Sequence, residues 1–198
     1  MTEIPPYDAA TAPPPAPGRL LVAAPGLTDP NFARTVVLLL EHDESGTLGV
    51  VLNRPTPVDV DEVLPTWRPL LTGEPYVFQG GPVALDSALG LASVVTVDDA
   101  HEPQGFRRVV GPVGLVDLDG VPEQLAPELA GMRIFVGYAG WSPGQLDGEL
   151  AEGAWYVVEG LPSDAFTGEP GGLWREVLRR QQAPLAFVAT MPEDPTLN

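Results

Sequence analysis

Two apolar runs in the first third of the chain predict the central hairpin of the fold. Thr35–Leu40 and Leu48–Leu52 consist almost entirely of Val and Leu, which is typical of strands that are buried on both faces. Asp43-Glu44-Ser45-Gly46 lies between them and predicts a four-residue loop, in which Gly46 supplies a positive φ. Because such strands need cover on both faces, we expect this hairpin at the centre of the protein.

The other apolar segments predict further strands, with short helices placed irregularly among them. Strands are predicted at Leu20–Ala23, Tyr76–Phe78, Ala88–Val97, Val113–Leu118, Arg133–Tyr138, Ala154–Val158 and Leu185–Thr190. Short helices are predicted at Val58–Leu64, Pro122–Leu129 and Ser142–Leu150, and around the one-sided set Leu173, Trp174, Val177 and Leu178. Asp29 and Pro30 suit the N-cap and first position of a turn or short helix. Because strands dominate and the order is not a regular βαβ winding, we expect a single α+β domain.

The first 17 residues differ from the rest of the chain in composition. They contain six prolines and almost no large apolar side chains, so they bury too little surface to offset the entropy lost on ordering. We expect a disordered Pro-rich tail at residues 1–17 and a folded domain at residues 18–198.

No targeting peptide is recognisable, and no stretch approaches the roughly 20 apolar residues of a membrane span. We therefore expect a cytoplasmic protein without a membrane partner.

The residue inventory excludes several classes of chemistry. The chain contains neither Cys nor Lys, and all ten basic residues are Arg. Disulfides, iron–sulfur clusters and thiol nucleophiles are therefore absent, as are a Walker A phosphate loop and a lysine Schiff base. The 27 acidic residues give a net charge of −17, which repels phosphate backbones and disfavours direct nucleic-acid binding. We expect no cofactor.

A serine motif follows the strand predicted at Arg133–Tyr138. Gly140–Gly144 matches the G-x-S-x-G pattern of α/β-hydrolases, in which the residue after the serine donates its N–H to the oxyanion. Here that residue is Pro143, which has no N–H, and both histidines of the chain precede the serine. The better interpretation is a helix start, with Ser142 as N-cap, Pro143 at the first position and Gln145 completing a capping box.

A cluster of polar residues at the hairpin turn is the main candidate for a metal site. Glu41, His42 and Asp43 are residue types that bind metals or transfer protons. Successive strand residues point to opposite faces, however, so Glu41 and His42 cannot easily share one ion. The only other histidine is His101. We therefore expect no metal site and no catalytic residue here, because the sequence assembles no nucleophile with a base and an orienting group.

Four separated motifs occur in order along the chain. They are G-R-L-L-V-A-A-P-G-L-T-D-P-N-F at Gly18–Phe32, R-T-V-V-L-L-L-E-H-D-E-S-G-T-L-G-V-V-L-N-R-P at Arg34–Pro55, Q-G-G-P-V at Gln79–Val83, and G-Y-A-G-W-S-P-G-Q-L-D-G-E-L at Gly137–Leu150. Together with the ending P-E-D-P-T-L-N, they resemble the AlgH/YqgE family of small bacterial proteins. The resemblance implies a bifurcated, partly barrel-like mixed sheet flanked by short helices. Members of that family are largely uncharacterised, and some carry the label of transcriptional regulator.

The end of the hairpin opposite to the turn is the candidate ligand site. Arg34, Asn53 and Arg54 lie there, about 20 Å from Glu41 and His42 at ~3.3 Å per strand residue. The resemblance implies that Gln79, Gly80 and Gly81 approach this cluster. Guanidinium groups and successive glycine N–H groups suit a carboxylate or phosphate, although an acidic neighbour such as Asp29 is an alternative partner for Arg34. The predicted ligand-binding residues are Arg34, Asn53, Arg54, Gln79, Gly80 and Gly81.

Two hypotheses about function follow. The first is a non-enzymatic binding or regulatory module that acts through a protein partner or a small anionic ligand. The second is an enzyme that acts on a small anionic substrate at the Arg54/Gly80-Gly81 end of the hairpin. The first leads because no catalytic set is recognisable. The acidic charge argues against direct DNA binding under the regulator label.

Overall fold

The computed structural model describes residues 12–98 and 102–192. Expectations that fall on residues 1–11, 99–101 and 193–198, among them most of the predicted tail and His101, lie outside the described residues. The strands are β1 Arg19–Ala23, β2 Val36–Asp43, β3 Gly46–Val51, β4 Pro55–Asp59, β5 Tyr76–Gln79, β6 Val83–Val94, β7 Phe106–Val110, β8 Val113–Val116, β9 Leu129–Trp141 and β10 Trp155–Glu159. The α-helices are α1 Pro122–Leu125, α2 Gln145–Ala151, α3 Leu173–Arg179 and α4 Leu185–Val188. Short 3-10 helices lie at Val60–Glu62, Pro65–Leu70, Ala126–Glu128, Pro162–Phe166 and Pro170–Gly172.

The described strands form one curled sheet that divides along β9. Its main path runs β10-β1-β2-β3-β9-β6-β8-β7 with antiparallel neighbours. β9 also pairs in parallel with β5 at Phe135–Val136, just before it meets β3 at Ala139–Trp141. The sheet therefore branches between these two contacts. The single α+β domain with a bifurcated, half-barrel sheet is confirmed.

The hairpin of β2 and β3 lies at the centre of the fold, as predicted. Val36, Leu38 and Leu40 enter one core cluster, which helices α3 and α4 cover. Val37 and Leu39 enter another, which includes α2 and three aromatic rings. Because successive strand residues point to opposite faces, one continuous apolar run supplies both clusters.

The turn of this hairpin is tighter than the sequence predicts. Asp43 pairs directly with Gly46, so the loop contains two residues, and the predicted four-residue loop is wrong. The carboxylate of Asp43 accepts hydrogen bonds from the hydroxyl and the N–H of Ser45, and these bonds lower the pKa of Asp43. Gly46 has the predicted positive φ, at 136°, and a Cβ there would lie 2.5 Å from the Trp141 carbonyl oxygen.

The last predicted strand is a helix. Leu185–Val188 form α4, and the buried residues Leu185, Val188 and Ala189 follow helical spacing against α3. The predicted strand at Leu185–Thr190 is therefore wrong. In contrast, the four apolar residues predicted to share a face of α3 are all buried.

The sequence does not predict two of the edge strands, because they are not apolar. β4 contains two prolines and is mostly exposed, and it overlaps the segment Val58–Leu64, for which the sequence predicts a helix. Only Val60–Glu62 of that segment forms a helical turn. β7 carries Arg107 and Arg108 at the end of the sheet. Edge strands need no apolar residues on both faces.

A buried arginine ties β9 to a 3-10 helix. Arg133 lies over the Phe78 ring at 4.2 Å and donates hydrogen bonds to the carbonyls of Ala165 and Thr167, at 3.2 and 2.8 Å. Burial lowers the pKa of Arg133 to about 10, so the side chain stays charged at neutral pH. Among the described helices, none has the length and apolar character to cross a membrane.

Candidate functional site

The serine motif joins β9 to α2 in a form that differs from the prediction. Helix α2 begins at Gln145, its N-cap is Gly144 with a φ of 74°, and no side chain caps it. The predicted N-cap role of Ser142 is therefore wrong, because the left-handed glycine moves the helix start two residues along the chain. Half of the predicted capping box remains, since Gln145 Oε1 accepts a hydrogen bond from the Ser142 N–H at 3.0 Å.

The polar residues at the hairpin turn each contact a different neighbour. Glu41 pairs with Arg107 at 2.9 Å, and His42 Nδ1 lies 2.7 Å from the Thr47 hydroxyl. Within residues 12–98 and 102–192, no group of three His, Asp or Glu side chains is arranged to hold a metal ion.

A tight turn at the other end of the hairpin places Arg34. Asp29 Oδ1 accepts the N–H of Asn31 at 2.8 Å, and the Asp29 carbonyl accepts the N–H groups of Phe32 and Ala33 at 2.9 and 2.7 Å. Asp29 thus caps this turn, as predicted. The turn ends at Arg34, which has a φ of 58°. A non-glycine residue in this left-handed region costs about 1–3 kcal/mol and needs support from its surroundings.

Asn53 supplies part of that support. Its Nδ2 donates to the Arg34 carbonyl at 2.9 Å, and its Oδ1 accepts the N–H of Val36 at 3.0 Å. Both ends of the amide therefore bind the backbone on either side of Thr35. This geometry makes Asn53 a residue that positions Arg34.

Three arginines line one cavity beside this turn. The cavity has a volume of about 410 Å³ and is lined by Pro30, Ala33, Arg34, Asn53, Arg54, Gly171, Trp174 and Arg175. We call it the arginine cavity. Among the described residues that line it, none is acidic.

Each guanidinium of the arginine cavity is held by groups of the fold. Arg34 lies over the Trp174 ring, 4.1 Å from its centroid. Arg54 donates to the Ala33 carbonyl at 2.6 Å, and Arg175 donates to the Ala189 carbonyl at 2.8 Å. Each of the three side chains is therefore held at the cavity by at least one neutral group of the fold.

A smaller groove of about 130 Å³ adjoins the arginine cavity. It is lined by Pro30, Asn31, Val51, Arg54, Gln79 and Gly81, so Pro30 and Arg54 border both spaces. Of the six predicted ligand-binding residues, Arg34, Asn53 and Arg54 line the cavity, and Arg54, Gln79 and Gly81 line the groove. Gly80 lines neither space.

The backbone of the glycine loop is engaged within the sheet. The N–H of Gln79 donates to the Arg54 carbonyl, and the N–H of Gly80 donates to the Val136 carbonyl, both at 2.8 Å. A Cβ at Gly81 would lie 2.2 Å from the Tyr138 backbone. The glycines therefore allow the loop to pack closely against β9, and the N–H groups of Gln79 and Gly80 are already engaged within the sheet.

Sequence reasoning missed Arg175 as part of this cluster. Arg175 lies on α3 between the buried residues Trp174 and Val177. The sequence pattern indicates only that Arg175 lies on the polar face of an amphipathic helix. No local signal links it to the hairpin. Only the packing of α3 beside the turn at Pro30–Arg34 brings it to the cavity.

Comparison with known proteins relates this fold to a family. A family model described as AlgH-like matches residues 20–186. The chain belongs to the AlgH-like family. Among its relatives, a UPF0301 protein from Streptomyces coelicolor is 63% identical over 183 residues, which cover 91% of this chain and 94% of the relative. A UPF0301 protein from Rhodococcus opacus is 48% identical over 186 residues, covering 94% and 92%.

Two solved structures resemble this AlgH-like chain. A crystal structure of the Corynebacterium diphtheriae protein DIP2367 has a TM-score of 0.87 at 37% identity and covers 96% of this chain and 100% of that one. The solution structure of AlgH from Pseudomonas aeruginosa has a TM-score of 0.64 at 28% identity, covering 97% and 98%. None of these names states a ligand or a reaction. Membership of the AlgH-like family therefore establishes the fold and not an activity.

Proposed function

We propose that this AlgH-like protein is a non-enzymatic binding module that takes a small multivalent anion in the arginine cavity. The observation that carries the proposal is the convergence of Arg34, Arg54 and Arg175 on one space without an acidic lining residue among those described. These are three of only ten basic residues in a chain of net charge −17. Such a local concentration of positive charge favours an anion.

The chemistry of the guanidinium group indicates the class of ligand. Its planar fork of N–H donors matches the paired oxygens of a phosphoryl or carboxylate group. The cavity volume of about 410 Å³ lies within the range of small-molecule sites, roughly 300–1,000 Å³. Because distant charges are screened beyond about 8 Å at physiological salt, the arginines that line the cavity act on a ligand there more strongly than distant acidic residues do.

The support of the arginines favours binding over catalysis. Asn53, Trp174 and the turn at Pro30–Arg34 fix the guanidinium positions before any ligand arrives, which lowers the entropy cost of binding. Among the described residues, neither the arginine cavity nor the groove is lined by a Ser, Thr, His, Asp or Glu side chain. A nucleophile and a general base are both missing from these linings.

A thermal-shift screen tests this proposal. The screen compares pyrophosphate, citrate and sulfate with sodium chloride of matched ionic strength. We expect pyrophosphate or citrate to raise the melting temperature, with a stabilisation of about 2.7 kcal/mol at 100 times the Kd. Pyrophosphate and citrate together distinguish phosphoryl from carboxylate recognition.

Matched arginine variants make the screen specific to the cavity. Arg54→Ala removes a cavity charge, whereas Arg179→Ala removes the same charge from an exposed position at the end of α3. We expect the anion effect to disappear in Arg54→Ala and to persist in Arg179→Ala. The proposal is wrong if both variants respond like the wild type, or if no anion stabilises the wild type more than sodium chloride does.

A further inference from the structure

Arg54 lines both the arginine cavity and the groove that adjoins it. A guanidinium has five N–H donors. The hydrogen bonds that the Arg54 side chain makes to described residues all use Nη2, which donates to the carbonyls of Ala33 and Pro30, at 2.6 and 3.5 Å. The N–H groups on Nε and Nη1 therefore remain available to a ligand that extends from the cavity into the groove.

Two carboxamide side chains, those of Asn31 and Gln79, line the groove. Their backbones are fixed, because the Asn31 N–H donates to Asp29 Oδ1 and the Gln79 N–H donates to the Arg54 carbonyl, both at 2.8 Å. Within residues 12–98 and 102–192, neither carboxamide is hydrogen-bonded to another group of the protein. Each carboxamide has both donors and an acceptor, so the groove presents both kinds of hydrogen-bonding group to a ligand.

The rest of the groove lining indicates which kind of group fits there. Its other described residues are Pro30, Val51, Arg54 and Gly81, and none of the described lining residues has an aromatic ring. Nucleobases are commonly held by stacking on aromatic side chains, which this lining does not offer. A hydroxyl group both donates and accepts a hydrogen bond, and it therefore matches a carboxamide directly. The lining favours a hydroxylated group over a base.

We propose that the groove is a second subsite of the arginine cavity and that the ligand is a phosphorylated sugar. Its phosphoryl group lies among the arginines, and its hydroxyl groups bind Asn31, Gln79 and Arg54 in the groove. This inference rests on the proposed function, because it names the ligand class of the same site. It assigns Arg54 to both subsites, in contact with both parts of the ligand.

Calorimetric titration with two phosphate monoesters tests the second subsite. Methyl phosphate and ribose 5-phosphate carry the same charged group and differ in the hydroxylated part. We expect the wild type to bind ribose 5-phosphate with a Kd at least about fivefold lower than that of methyl phosphate, which corresponds to one or two net hydrogen bonds. Equal Kd values for the two esters would overturn the inference, since the groove then contributes nothing to binding.

Variants of the groove assign the gain to its carboxamides. Gln79→Met keeps the length of the side chain and the backbone bond to Arg54, and Asn31→Ala changes an exposed turn residue. We expect each variant to bind ribose 5-phosphate about threefold more weakly or worse, and to bind methyl phosphate as the wild type does. Because the two residues lie on different segments, a folding defect in one variant leaves the other as the test. Unchanged affinity for ribose 5-phosphate in both would overturn the placement of the sugar.

Gln124→Met is the matched control, because Gln124 is exposed and lies outside the linings of both spaces. It should leave the Kd of both esters unchanged. If the control loses as much affinity for ribose 5-phosphate as Gln79→Met does, the inference is wrong, because the effect then does not come from the groove.

Adenosine monophosphate separates a sugar from a base in the groove. It adds adenine to ribose 5-phosphate, and we expect no further gain in affinity from the added base. A gain that Gln79→Met removes would place the base in the groove and overturn the assignment to a sugar.

Pyrophosphate separates failure of the inference from failure of the proposed function. If the wild type binds pyrophosphate, while ribose 5-phosphate does not bind or binds no better than methyl phosphate, the inference is wrong and the anion site stands. If pyrophosphate, citrate and both monoesters all fail to bind, the inference and the proposed function are both wrong.

Discussion

Arg34 lies over the indole ring of Trp174, with its guanidinium carbon 4.1 Å from the ring centroid. Trp174 is itself fixed, because its Nε1 donates to the Ala23 carbonyl of β1 at 2.8 Å. The contact therefore links the turn before β2 to helix α3 and to the first strand. It holds the charge of Arg34 at the arginine cavity. A cation over an indole face contributes about 0.5–2 kcal/mol of interaction energy.

The amide of Asn53 is expected to stabilise the fold through the backbone around Arg34. Asn53→Ala removes the partners of the Arg34 carbonyl and the Val36 N–H, and each group left unsatisfied costs about 1–3 kcal/mol. Urea unfolding should show this loss. Asn53→Asp keeps an acceptor for Val36 but turns a second acceptor toward the Arg34 carbonyl, so it should also lose stability. Equal stabilities of the Ala variant and the wild type would contradict the positioning role.

The left-handed backbone of Arg34 predicts an unusual order of stabilities. Arg34→Gly relieves the strain at a φ of 58°, whereas Arg34→Ala keeps it, so we expect the Gly variant to be more stable by about 1 kcal/mol. Chemical denaturation of both variants measures the difference. The opposite order would show that the turn adopts another conformation in solution. Both variants should lose affinity for pyrophosphate.

Ser142 is expected to be neither a nucleophile nor a helix cap. Ser142→Ala should change the free energy of unfolding by less than about 0.5 kcal/mol, as is usual at exposed positions. Gln145→Ala should cost more, because Gln145 bonds both the Ser142 N–H and Glu149 Oε1. An activity-based probe for serine hydrolases should leave the protein unlabelled, and covalent labelling at Ser142 would support the enzyme hypothesis.

The charge of the chain predicts an absence of binding to duplex DNA at physiological salt. A net charge of −17 opposes the counterion release that drives such binding. A gel shift over a range of salt concentrations measures it. Salt-dependent retention of a DNA fragment at micromolar protein would show that a local surface overcomes the net charge.

The sequence predicts the centre of this fold better than its edges. β2 and β3 are recognisable because burial on both faces requires apolar residues at successive positions, as at Val36–Leu40 and Val50–Val51. β4 and β7 are not, because one lies at an exposed edge with two prolines and the other carries adjacent arginines. The six residues Leu185–Thr190 form too short a run for periodicity to separate a strand from a helix.

Local sequence likewise predicts one part of the candidate site and not the other. Arg34, Asn53 and Arg54 come together because the pairing of a hairpin brings its two free ends side by side, which local sequence predicts. Arg175 comes from a helix far along the chain, and its place depends on how α3 packs against the sheet. The engagement of the Gly80 N–H by Val136 likewise depends on tertiary contacts that no local pattern reveals.

The NMR signals of the arginine side chains offer the most direct test of an anion site in the arginine cavity. The protein has ten arginines and no lysine, so its side-chain Nε–Hε region in a nitrogen–proton NMR spectrum contains ten signals, which single Arg→Lys variants assign. On titration with pyrophosphate, we expect the signals of Arg34, Arg54 and Arg175 to shift together and saturate with one Kd, while those of Arg107 and Arg179 stay in place. Shifts of all arginine signals that grow with ionic strength and never saturate would contradict an anion site in the arginine cavity.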